Sequence, residues 1–297
     1  MRRAFAILAS GAFAASGCLV NDPRPPPGSL LVTASPDQAI ATGVVSDDGW
    51  AVEYPRFLVS LGNASIEDED GTCNHTYSDP TYQRVIDLSQ GSAQKVNLAF
   101  GLGSCSLDLE LSSPRGDSVL GKGVSAEDRD FMRTPASDDF VSDGGISIHV
   151  VGRATKAGVE KRFTWSYRFR VDYTTVGVSV GDRIARGLEL EEDQRLTWDF
   201  PIRGAALLWD HREPSAAALR FDAIASADDT YGDGNGDVTL AELGAVPLAD
   251  IAASDRYDDA ASDWLTLQDF VYAGLFRRVV DANALEEEVF PNDRNPH

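Results

Sequence analysis

Large apolar residues stand at every second position in the run Phe163, Trp165, Tyr167, Phe169, Val171 and Tyr173. The residues between them, Thr164, Ser166, Arg168, Arg170 and Asp172, are all polar. A period of two separates these sets onto opposite faces of a strand, so the run predicts one strand buried on one side and wet on the other. A helix would scatter the same rings around its circumference. Shorter versions at 30–33, 39–45, 50–61, 85–88, 96–100, 105–111, 146–151 and 196–200 bring the expectation to about nine strands. Turn residues separate them, and no helix of crossover length intervenes. This predicts a mainly β chain with an antiparallel β-sandwich over 30–209. Segment 113–144, rich in Ser, Asp, Gly and Arg, is expected to be a long exposed loop.

With 297 residues, 43% of them hydrophobic, the chain can bury a substantial core. Acidic residues outnumber basic ones, 47 to 26, for a formal charge of −21. The lysines Lys95, Lys122, Lys156 and Lys161 never cluster, so no cationic surface is offered to phosphates and nucleic acid is excluded as a partner.

The amino terminus reads as an address. Arg2 and Arg3 precede an apolar stretch at 4–15 and then Ser16 and Gly17, which marks 1–17 as a secretory signal, too short to span a bilayer. Ala15-Ser16-Gly17-Cys18 resembles the bacterial lipobox, with Ala15 where Leu or Val is usual. That resemblance implies removal of 1–17, diacylation of Cys18 and a membrane partner reached through lipid. Leu19, in place of Asp, implies sorting to the outer membrane by resemblance to known sorting signals. Residues 18–29, with Pro23, Pro25, Pro26 and Pro27, read as a stiff tether. Once Cys18 carries lipid, Cys73 and Cys105 remain, and an oxidising compartment favours their disulfide. A metal site formed by Cys73, His75 and Cys105 is the competing expectation.

Beyond 209 the pattern turns helical. Ser215 is expected to cap a helix over 216–226, a second helix to begin near Thr239, and a third to span 266–280, with 286–297 fraying. Between the first two helices, Asp228 to Glu242 resembles an EF-hand calcium loop. With Glu242 twelfth, Asp233, Asn235 and Asp237 fall at the third, fifth and seventh positions and Gly236 at the sixth. Short oxygen side chains at alternate positions converge on one cation, and Gly allows the sharp turn. Tyr231 stands where the pattern requires Asp, so either Asp229 or Asp228 reaches in through a longer loop or water fills that corner at a cost in affinity, with Asp229 favoured. The expected ligands are therefore Asp229, Asp233, Asn235, Asp237 and Glu242, and 210–297 reads as a small helical EF-hand-like calcium module. The run 238–243 is echoed at 265–270, a compact spacing that resembles dockerin-type modules. At the matching upstream positions Asp258 is present, but Ala260, Ser262 and Asp263 stand third, fifth and sixth and the turn Gly is missing, so the second unit is expected to pack on the first without binding calcium.

No enzyme signature stands out. There is no Gly-x-Ser-x-Gly elbow, no His-Glu-x-x-His pair and no phosphate-binding loop. His149 is expected to face solvent from a strand, and His211 to join Asp210 and Glu213 in a salt-bridge cluster. Trp50, Trp165, Tyr167 and Trp198 are expected in the core rather than on a glycan-stacking face. The expected function is a noncatalytic exported lipoprotein of the bacterial envelope, holding one calcium ion, with a protein or glycan partner left open. The competing expectation is an exported carbohydrate-active hydrolase with dispersed carboxylates on the β-domain.

Overall fold

The computed structural model describes residues 25–67, 73–78, 82–134, 144–176, 178–180, 183–185, 188–211, 215–252, 257, 266–278 and 284–291. The chain runs through β1 (Gly28–Pro36), α1 (Gln38–Thr42), β2 (Val44–Val45), β3 (Ala51–Glu67), β4 (Cys73–Tyr77), β5 (Gln83–Asp87), β6 (Gln94–Leu111) and β7 (Val119–Leu120). After α2 (Ala126–Met132) come β8 (Ile148–Lys156), β9 (Val159–Tyr167), β10 (Phe169–Val176), β11 (Val178–Val180), β12 (Arg183–Ala185), β13 (Leu188–Leu190) and β14 (Arg195–Ile202). The last third holds α3 (Asp222–Tyr231), β15 (Asp237–Val238), α4 (Leu240–Gly244), α5 (Leu267–Arg278) and β16 (Ala284–Pro291).

The protein is mainly β, dominated by a large mixed sheet along the path β14-β1-β6-β3-β8-β9-β15. Strand β6 spans 94–111 where two separate strands were expected. It changes partners along its length, from β1 over Gln94 to Gly101 to β3 over Ser106 to Leu111. Gly103, at φ 99°, lies at this changeover. The all-antiparallel expectation is corrected, because β1–β14, β5–β7 and β9–β15 pair in parallel. About half of the chain lies between β1 and β14, so the parallel crossover is supplied by tertiary structure and no local pattern announces it.

Other local expectations also change. Residues 39–45 form α1 and the short β2, because the Asp37 carboxylate accepts the Ile40 N–H (2.9 Å) and starts a helix. The aromatic run breaks at Arg168, whose N–H and C=O both bond the Tyr272 hydroxyl (2.7 and 2.9 Å) instead of a neighbouring strand. The first late helix starts at Asp222, later than expected, since Asp48 rather than Ser215 accepts the Phe221 and Asp222 N–H groups (both 2.7 Å). Residues 284–291 pair with β10 as β16 instead of fraying, whereas 292–297 lie outside the described residues. Segment 113–144 is not wholly an exposed loop, because α2 buries Met132; 135–143 lie outside the described residues.

One continuous cluster of buried side chains joins Leu30 and Val32 of β1, Val59 of β3, Phe163, Trp165 and Tyr167 of β9, and Phe221, Leu243 and Phe270 of the helical third. Sheet and helices therefore share a core. Trp50, Trp165 and Tyr167 are buried in it, and Trp198 packs against it while stacking on Phe200, as expected. Opposite Phe163, in register on β8, lies Gly152, and a Cβ there would run into the Phe163 ring. Gly152→Ala should therefore cost about 1–3 kcal/mol by overpacking. Urea denaturation reads this directly, and an unchanged midpoint would refute the packing argument.

Candidate metal centre

The 228–242 loop is shaped first by its own hydrogen bonds. Asp228, in the last turn of α3, is fully buried, and its carboxylate accepts the N–H groups of Asn235 (3.1 Å) and Gly236 (2.9 Å). Gly234 and Gly236 take positive φ, 69° and 88°, which turns these N–H groups inward at little steric cost. Asp233 accepts from Asn235 N–H and Nδ2 (3.3 and 3.0 Å), and Asn235 Oδ1 accepts the Asp237 N–H (2.7 Å). At the incoming helix α4, Thr239 and Glu242 form a reciprocal capping box (2.8 and 3.2 Å). The Glu242 carboxylate lies so close to Gly232 that a Cβ there would collide with it.

These bonds bring Asp228, Asp233 and Glu242 together, with one oxygen of each within 4.8 Å of the others. Calcium binds oxygen at roughly 2.3–2.6 Å, so ligands across one ion lie up to about 5 Å apart, and this donor set fits a single hard cation. The expected ligands divide: Asp233 and Glu242 enter the cluster, while Asn235 holds the turn. Asp237 turns to Arg162 (2.8 Å), and Asp229, 61% exposed, turns to Lys161 (2.6 Å). Because α3 continues to Tyr231, it is Asp228 that faces the loop, while its neighbour is rotated about 100° away. The Tyr231 hydroxyl donates to Asp250 (3.4 Å).

The sheet supplies the other wall. Lys161 Nζ lies 2.6 Å from both Asp228 and Asp229, with only 4% of its side chain exposed. Burial pushes the lysine ammonium down, but the two carboxylates outweigh it and raise it overall. The Lys161 hydrogen bond holds Asp228 below the usual carboxylate range against its burial, helped by the Gly236 and Asn235 amides. Strand β15 pairs with Arg162 and Phe163, Arg162 N–H donates to Gly236 O (2.7 Å), and Trp165 Nε1 donates to Val238 O (3.0 Å). Lys161 carried a legible signal, since it stands two residues before Phe163 and belongs to the same buried face.

The sequence echo has a structural meaning. Thr266 and Asp269 form a second capping box (3.0 and 3.2 Å) that repeats Thr239 and Glu242, and α5 packs on α4. Its upstream residues 258–263 lie outside the described residues. Cys73 and Cys105 form the expected disulfide, Cα atoms 4.9 Å apart, which removes both thiolates from any metal site with His75. Cys18 lies outside the described residues. His211 bonds the buried Asp210 (2.7 Å), with Arg220 alongside (3.3 Å), while Glu213 lies outside the described residues. His149 departs from expectation: it is buried under α2 instead of facing solvent.

Lys161→Met strands the buried Asp228 charge and should cost about 3–5 kcal/mol. Adding Asp228→Asn should recover part of that loss. Urea denaturation of the two variants checks this, and wild-type stability in Lys161→Met would refute it. Comparison with protein-family models, with curated proteins and with solved structures finds no match to this chain in any of the three.

Proposed function

We propose that this chain is a noncatalytic, exported lipoprotein of the bacterial cell envelope with a structural or interaction role. Lipid on Cys18 anchors it to the outer membrane, and one calcium ion stabilises the 228–242 loop. The β part is read as a sandwich whose two layers are the strand groups sharing β6, followed by an EF-hand-like helical module. The observation that carries the calcium reading is the convergence of Asp228, Asp233 and Glu242. Three carboxylates this close repel one another, and the single ammonium of Lys161 offsets only part of that charge. A divalent cation would neutralise the rest and tie α3 to α4. Its expected affinity is that of extracellular modules, about 10⁻⁴–10⁻³ M, suited to an ion always present outside the cell.

Export is supported by the leader residues and by cysteine usage. The Cys73–Cys105 disulfide accounts for two of the three cysteines and suits an oxidising compartment, leaving Cys18 for acylation. The noncatalytic reading rests on the sequence, which lacks the motifs of nucleophile, zinc and phosphate-loop enzymes. A protein or glycan is the open partner class.

Calcium at about ten times its dissociation constant should add about 1.4 kcal/mol of stability. Thermal unfolding in calcium, in magnesium and after chelation, beside Glu242→Gln, tests this, since Gln keeps the capping box but loses the charge. A calcium-specific rise abolished in the variant is expected. No shift, with calorimetry finding no bound ion, would overturn the calcium reading. For the anchor, Cys18→Ser should lose fatty-acid label and move to the soluble periplasmic fraction, and a labelled variant would overturn the lipid assignment.

A further inference from the structure

Helix α2 packs against Leu58 of β3 and His149 of β8, and what lies beneath it is separate from the main core. Met132 packs with Leu58, Val85 and Ile146 in a small cluster of its own. Polar ties complete the attachment. Arg56 on β3 pairs with Asp128 on α2 and lies 3.5 Å from Asp87 at the end of β5, and the Arg168 guanidinium donates to Thr134 O (2.6 Å) and Gly144 O. Ile146 N–H donates to Met132 O (2.6 Å).

His149 sits under this strap, 9% exposed, with Phe131 edge-on to its ring at 4.9 Å. Its Nδ1 lies 2.9 Å from Ser166 Oγ, the residue opposite it on β9. The groups facing it are the Arg56 cation from β3, Asp128 from α2 and neutral Ser166 from β9. Asp87 from β5 is engaged by Arg56. Burial and then Arg56 push the imidazole below its ordinary value, and Asp128 opposes them.

We propose that His149 is an acid-sensitive latch: taking up a proton places a second cation beside Arg56 beneath Phe131, releases α2 from the sheet and uncovers Leu58, Val85 and Ile146. The closed form binds the proton more weakly than the open one. Its stability is therefore complete above the ordinary histidine value, about 6.5, and is lost as pH falls below that toward the depressed value of the closed form. The main core does not include this cluster, so α2 can open without unfolding the sheet.

The test is hydrogen exchange of the full chain at about pH 7.5 and about pH 5.5, both above the ordinary carboxylate range, corrected for the intrinsic pH dependence of exchange. Protection over 126–134 is expected to fall severalfold at the lower pH while 148–167 stays unchanged, and His149→Gln should show no fall. An unchanged 126–134 in the wild type, or an equal fall in His149→Gln, overturns the proposal. Should His149→Gln fail to fold, the wild type alone decides by proton NMR. The midpoint of opening must coincide with titration of the His149 ring, and a separate midpoint refutes the latch.

Discussion

The inward face of β9 is the contact on which the rest of the molecule depends. Lys161, Phe163, Trp165 and Tyr167 all point into the buried side of this one strand. Phe163 stacks on Trp165 at 4.3 Å and reaches Phe221, while Trp165 also donates to Val238 O. The same few side chains thus fill the space under the sheet and seat the helical third upon it. Burying such rings contributes about 1.5–3 kcal/mol each, so truncating any of them is costly.

Strand parity then sorts the two attached elements. Lys161 and Trp165 on the inward face of β9 bond the 228–242 loop, and Arg162 on the other face reaches its Asp237, whereas Ser166 faces outward with His149 toward α2. The buried Lys161 that closes the proposed calcium loop and the His149 of the proposed acid latch therefore lie on opposite faces of one sheet, with separate buried clusters beneath them. A change at one site need not be transmitted to the other, because their apolar contacts are not shared.

The period-two pattern made the strands legible because backbone geometry alone places alternate residues on opposite faces. It could not separate β9 from β10, since the break comes from the distant hydroxyl of Tyr272. It also could not distinguish α1 from a strand, because adjacent buried Ala39 and Ile40 suit a short capped helix as well as a sheet. At the candidate site, Asp233, Glu242 and the glycine turn followed from local spacing. Asp228, in place of Asp229, depended on how far α3 runs, and Lys161 was an extension of an alternation already visible in the aromatic run.

By itself, the sequence determined a mainly β chain with helices in its last third and an oxygen-rich loop turned by glycine. These rest on periodicities and contacts within a few residues. Only the tertiary structure decided that β1 and β14 run parallel, that β6 changes partners along its length, and that β9 closes the loop with a buried lysine. Each joins residues far apart in the chain, and such pairings are selected by which surfaces bury one another, a choice that no local pattern records.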